Sequence, residues 1–136
     1  MWLILCLTLF FSSGSAVGAE QVELFDSDKQ QVVATFANSD VFQKEAEQLL
    51  ATVSGRVQEL NPSLDHVMIV KIPLAPPKRL KLASASLDTD IAEMFVIMPK
   101  KGGRRPWLIL HTKEYETVVV EFTGAVDQLR ANVQLR

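Results

Sequence analysis

IAEMFVIMPKKGGRRPWLILHTKEYETVVVEF, residues 91–122, is the stretch on which the fold turns. Met94-Phe95-Val96-Ile97-Met98 is an unbroken apolar run that suits a buried strand, yet Ile91, Met94, Phe95 and Met98 also fit one helix face behind an Asp90/Glu93 capping box. The residues that follow decide for the strand. Lys100 to Pro106, with Gly102-Gly103 inside, has the chemistry of a hairpin loop, and Trp107-Leu108-Ile109-Leu110-His111 reads as the returning partner. Thr117 to Phe122 then pairs across the polar turn Lys113-Glu114-Tyr115-Glu116. Three strands joined by short hairpins predict a largely antiparallel sheet.

Working outward toward the N-terminus, Val67 to Ile72 is rich in β-branched residues and reads as a strand closed by Pro73. Pro73, Pro76 and Pro77 predict an extended connection at a sheet edge or in a surface loop. Gln21 to Phe25 and Gln31 to Phe36 flank the turn residues Asp26-Ser27-Asp28-Lys29, a β-hairpin pattern. Between them and Val67, apolar residues fall at Phe42, Ala46, Leu49, Leu50, Val53, Val57 and Leu60, one face of a helix. Asn38-Ser39-Asp40 offers N-caps, and Asp40 with Gln43 has capping-box spacing. The Asn61-Pro62-Ser63 stretch should end this helix, with Ser54-Gly55 as an earlier fraying point. Toward the C-terminus, Gly124 opens a short helix with Val126, Leu129 and Val133 on one side. The expected fold is α+β, in the order β-β-α-β-β-β-β-α, with one long amphipathic helix on one face of the sheet and a short C-terminal helix. The Leu108/Leu110 and Trp107/Ile109 sets are both apolar, so the sheet needs two covers. The long helix is one; the other is the terminal helix or a partner chain.

The chain has 136 residues, 48% of them hydrophobic, with 14 Lys+Arg and 16 Asp+Glu. These values suit one globular domain and exclude disorder, collagen and a nucleic-acid binder driven by bulk charge. Residues 1–19 carry no charged side chain, run apolar from Trp2 to Phe11, and end in Ala16-Val17-Gly18-Ala19. They read as an export signal cleaved before Glu20, with an uncleaved membrane anchor as the alternative. Residues 20–136 form the expected exported domain. The one cysteine, Cys6, lies in the signal, so disulfide scaffolds, thiolate metal sites and cysteine nucleophiles are excluded from that domain.

The strand-turn-strand from Val22-Glu23-Leu24-Phe25-Asp26 to Val32-Val33-Ala34-Thr35-Phe36, the acidic-capped helix after it and the aromatic-leading strand at Trp107 resemble small exported domains of Gram-positive spore-forming bacteria. The resemblance covers the plan of most of residues 20–136 and implies an extracytoplasmic, cell-envelope setting. It transfers no catalytic residues.

No catalytic or cofactor motif stands out. Ser63, Asp65 and His66 have the residue types of a hydrolase triad, but such near neighbours cannot build its geometry, and no nucleophile elbow is present. Asp88, Asp90 and Glu93 lack the turn glycine and spacing of a calcium loop, and read as a loop followed by a cap. His66 reads as a turn residue and His111 as a half-buried edge residue, and Gly102-Gly103 has no phosphate-loop frame. The sequence therefore predicts a non-catalytic protein without cofactor or metal.

Charge placement is the informative pattern. Residues 20–65 carry nine acids and three bases, residues 66–111 three acids and eight bases, and residues 112–136 four acids and three bases. Seven of the eight central bases form two clusters, Lys78-Arg79-Lys81 and Lys100-Lys101-Arg104-Arg105, the second beside Trp107. One reading is a basic surface for an anionic polymer or lipid headgroups, with Trp107 as an amphipathic anchor. The plainer one is solvated hairpin tips and lysines that protect sheet edges. The favoured function is an extracytoplasmic binding module at the cell envelope that contacts a protein partner through the apolar second sheet face or the acidic N-terminal hairpin and helix. The basic-surface binder is the alternative, and a small hydrolase with a carboxylate site is the remote one.

Overall fold

A computed structural model describes residues 20–59 and 62–135. The signal or anchor read at residues 1–19 lies outside them. Seven strands form one sheet: β1 (Val22–Asp26), β2 (Gln31–Phe36), β3 (Val53–Arg56), β4 (Val67–Leu82), β5 (Leu87–Pro99), β6 (Trp107–Thr112) and β7 (Thr117–Phe122). Among the described residues two helices accompany them, α1 (Asp40–Ala51) and α2 (Asp127–Asn132). The strands lie in the order β2-β1-β4-β5-β6-β7-β3, with every neighbouring pair antiparallel. Residues 91–98 are strand, and the hairpins at Lys100–Pro106 and Lys113–Glu116 join the strands they were expected to join.

The helix is much shorter than its apolar periodicity suggests. It ends at Ala51, and Val53–Arg56 turns instead into a strand paired with β7. The β-branched residues explain the change. Val53 and Val57 match helical spacing but suit a pleated surface better: Val53 enters the main core, and Val57 packs on the other side of the sheet. Thr52 makes the junction, its hydroxyl donating to the Leu49 carbonyl at 3.0 Å and accepting from Gly124 N–H at 3.1 Å. The observed order is therefore β-β-α-β-β-β-β-β-α. The Asp40/Gln43 capping box does not form. Ser39 is the N-cap, its carbonyl accepting from the Phe42 and Gln43 amides, while the Gln43 side chain binds Asn38 and the Pro73 carbonyl.

β4 does not stop at Pro73. Its pairing with β5 is interrupted between Pro73 and Lys78 and resumes through Leu82. Pro73, opposite Glu93, is the last paired residue before that irregularity, and Pro76 and Pro77 lie within it, where no ladder donor is required. β1 reaches β4 only from Met68 to Lys71, and β6 meets β5 only from Ile91 onward. Residues 78–82 and 87–90 therefore form a two-stranded arm. A 3₁₀ turn at Ala83–Ala85 closes its tip, where the Ala85 carbonyl accepts from Arg56 Nε at 3.0 Å. Leu80 and Leu87 anchor the arm in the core. Asp88, Asp90 and Glu93 accordingly lie within β5, not in a loop before a helix cap.

Both helices lie on one side of the sheet. Phe42, Ala46, Leu49 and Leu50 of α1 and Leu129 of α2, with flanking Val126 and Val133, share one core with Val96, Leu108, Leu110, Val118 and Val120. Side chains of the other parity face away from the helices and form a smaller cluster around Val67, Ile97 and Trp107. The terminal helix therefore does not supply the second cover.

Candidate functional site

The sheet side away from the helices is covered in part by the chain leaving β3. The Val57 amide continues the pairing with Val119, its side chain packs against the small cluster, and Glu59 reaches Arg104 at 2.7 Å. Beyond this strap, among the described residues, partly buried apolar side chains continue along this side. Register places Phe95, Ile109 and Val119 directly opposite one another across β5, β6 and β7, with Ile69 beside Ile97 and Phe25 beside Ile69 on the adjoining strands. Ile69, Phe95, Ile109 and Val119 are only partly buried. They form a contiguous patch, a pattern that marks interaction surfaces more often than scattered apolar residues do.

One end of the patch carries ionisable groups. Glu93 and His111 are cross-strand partners, and His111 Nδ1 lies 2.9 Å from one Glu93 oxygen while Lys71 Nζ lies 3.4 Å from the other. The His111 ring meets Phe95 edge-on at 4.9 Å between centroids. Burial pulls the Lys71 ammonium down, but the negative charges of Glu93, Glu23 and Glu20 outweigh it and hold the group above its ordinary value. His111 sits on an interior strand, not at an edge as expected. Lys71 and His111 are both paired with Glu93, so the apolar surface is bordered by partnered polar groups with Glu23 and Glu20 near Lys71.

The two basic clusters lie apart. Lys78 and Lys81 stand opposite Ile91 and Asp88 on the arm, whereas Lys100 follows Pro99 at the far end of β5. Ile91 to Pro99 spans about 26 Å at a strand's rise of about 3.3 Å per residue. Four of the seven cations have carboxylate partners. Lys78 meets Glu47 at 3.4 Å, Arg79 meets Asp88 at 2.8 Å and Asp90 at 3.4 Å, Lys100 meets Asp26 and Asp28 at 2.7 Å each, and Arg104 meets Glu59 at 2.7 Å. Lys81, Lys101 and Arg105 form no ion pair with a described residue. Trp107 is 2% exposed with the Arg104 guanidinium 5.7 Å from its ring centroid. The ring belongs to the core and is not an exposed anchor.

Among the described residues, concavities border both clusters. One, of about 640 Å³, lies between α1 and the arm and is lined by Glu47, Leu50, Lys78 and Lys81 among others. Another, of about 390 Å³, is formed by the β5–β6 hairpin against β3 and β7 and takes in Ser54, Arg104, Arg105, Trp107 and Glu121.

The candidate catalytic residues are not assembled. Ser63 Oγ accepts from the Asp65 amide, while His66 Nδ1 pairs at 2.7 Å with Asp28 instead. Asp88 and Asp90 are held by Arg79, and Glu93 by Lys71 and His111. Among the described residues no group of three or more His, Cys, Asp or Glu side chains could hold a metal ion, and no helix is long and apolar enough to cross a membrane.

Sequence reasoning singled out Ile109 as one of a possible second set but not its neighbours Ile69, Phe95 and Val119. Strand parity was the available signal, and which parity the helices cover depends on tertiary packing. Ser54 entered only as a helix-fraying point and Glu121 only as a strand residue, and neither was read as part of a site. Comparison with protein-family models, with curated proteins and with solved structures finds no match.

Proposed function

We propose that this protein is a non-catalytic, extracytoplasmic binding module of the cell envelope that docks a protein partner on the open face of its sheet. The observation that carries this reading is the placement of both helices on one side, which leaves Ile69, Phe95, Ile109 and Val119 partly exposed as a connected patch. The chemistry of the partner follows from the patch. Lys71, the cation at its border, is paired with Glu93 and faces Glu23 and Glu20, so the surface offers no free positive charge to a polyanion and fits a protein surface with an apolar, uncharged centre. The charge-free residues 1–19 and the resemblance to exported envelope domains support the setting. A single basic platform is the less supported alternative, because its two clusters stand at opposite ends of β5 and most of their cations are paired within the fold.

Binding of the protein to isolated cell envelopes, measured across a salt series before and after protease stripping of the envelopes, tests the reading. Loss of binding on stripping, with little dependence on salt, is the expected result. Binding that stripping leaves undiminished would overturn it, whereas a salt-sensitive remainder after stripping reports an anionic polymer or lipid bound elsewhere on the molecule.

A further inference from the structure

We propose that the cleft between the β5–β6 hairpin and the β3/β7 edge of the sheet binds a phosphodiester group. This site adjoins the open sheet face at its Trp107 end, but its donors, Arg104, Arg105 and Ser54, are not residues of the apolar patch. The cleft has a volume of about 390 Å³, in the range of small-ligand sites. Arg104 is pre-positioned in it: Glu59 holds one side of its guanidinium at 2.7 Å, and the Trp107 ring lies 5.7 Å beneath it. Arg105 lines the same concavity, and its one described partner is the Thr123 carbonyl at 3.4 Å, a long bond for a guanidinium. Ser54 adds a hydroxyl from β3. Donors thus approach one cavity from two sides of the sheet rim.

The donor set selects the ligand. A planar carboxylate is satisfied by one arginine fork, whereas a tetrahedral phosphate offers oxygens to two forks and a hydroxyl at once. Glu121 also lines the cleft and Glu59 already offsets the charge of Arg104, so the site carries little net positive charge and opposes a second negative charge on the ligand. The cleft therefore prefers a monoanionic phosphodiester to a dianionic phosphomonoester. That chemistry occurs in both polyol-phosphate polymers and phospholipid headgroups.

Calorimetric titration of the full chain with glycerophosphoglycerol, a diester, and with glycerol 3-phosphate, a monoester, tests the assignment. The diester is expected to bind saturably and more tightly than the monoester. Arg105→Gln, at an exposed position, should weaken diester binding at least tenfold while circular dichroism stays unchanged, and Glu121→Gln should tighten the monoester selectively. Ile109→Lys on the open face should leave diester binding intact, which separates failure here from failure of the docking reading. Phosphatidylglycerol vesicles distinguish the sources: Arg105-dependent vesicle binding assigns a lipid headgroup, and diester binding without vesicle binding assigns a polymer. Absence of saturable diester binding, or equal binding by Arg105→Gln, would overturn the proposal.

Discussion

Lys100 closes a clamp that ties the β1–β2 turn to the start of the β5–β6 hairpin. Its ammonium donates to Asp26 and Asp28 at 2.7 Å each, the Lys100 amide donates to the His66 carbonyl, and Ser27 Oγ accepts from the Val67 amide. The hydrogen bond from Lys100 holds the carboxyls of Asp26 and Asp28 below their ordinary 3.8, and the same bonds hold Lys100 above its usual value. A carboxyl depressed in the folded state contributes stability that is present above pH 3.8 and is lost as pH falls through the lower folded value. Thermal melts of the native protein should therefore show stability falling below about pH 4. Lys100→Met should lower stability at pH 7 and flatten that acid limb. An unchanged limb would contradict the clamp. Glu45 has the opposite sign. Burial on α1 raises its carboxyl above the ordinary 4.5, so its charged form opposes folding at neutral pH, and that penalty is relieved as pH falls toward 4.5. Glu45→Gln should raise the melting temperature at pH 7 and make no difference at pH 4, checked by the same melts.

At the scale of elements, the junction of α1, β3 and α2 depends on Thr52 and Gly124. A Cβ on Gly124 would lie 2.8 Å from Thr52 Oγ1, the atom that bonds both Leu49 and Gly124. Gly124→Ala is expected to destabilise by about 1–3 kcal/mol. Adding Thr52→Ala should remove most of the steric component, so the double variant costs less than the sum of the two single changes. A denaturant double-mutant cycle with strictly additive values would contradict this contact. The same junction shows where the sequence misleads. Phe42, Ala46, Leu49 and Leu50 lie on the helix as their spacing predicts, but Val53 and Val57 satisfy helical and strand patterns alike, and only pairing with β7 separates them. Likewise Pro73, Pro76 and Pro77 mark an interruption correctly, yet the ladder resumes beyond them because Leu80 and Leu87 reach the core. The hairpin strands from Ile91 to Phe122 were readable because a glycine-containing loop and a polar turn separate apolar runs of strand length. The arm and β3 were not, since both depend on contacts distant in sequence.

For the whole molecule, the consequence of this topology is a sheet with unequal sides. The helix side is filled by α1, α2 and the arm, while the far side has a strap at the Trp107 end and the Ile69, Phe95, Ile109 and Val119 patch beyond it. The apolar character of both sides was readable from residues 107–111. Their unequal covering was not, because nothing local tells which side a terminal helix will choose. The charge clusters were readable as composition, but their separation along β5 and their pairing with Glu47, Asp88, Asp26 and Glu59 emerge only in three dimensions. The open side is proposed to receive a protein. The most direct test of that proposal is envelope binding by Ile109→Lys beside the native protein and Arg105→Gln, all shown to be folded by their thermal transitions. Ile109→Lys is predicted to bind at least tenfold more weakly while Arg105→Gln retains protease-sensitive binding; native-level binding by a folded Ile109→Lys would contradict the account.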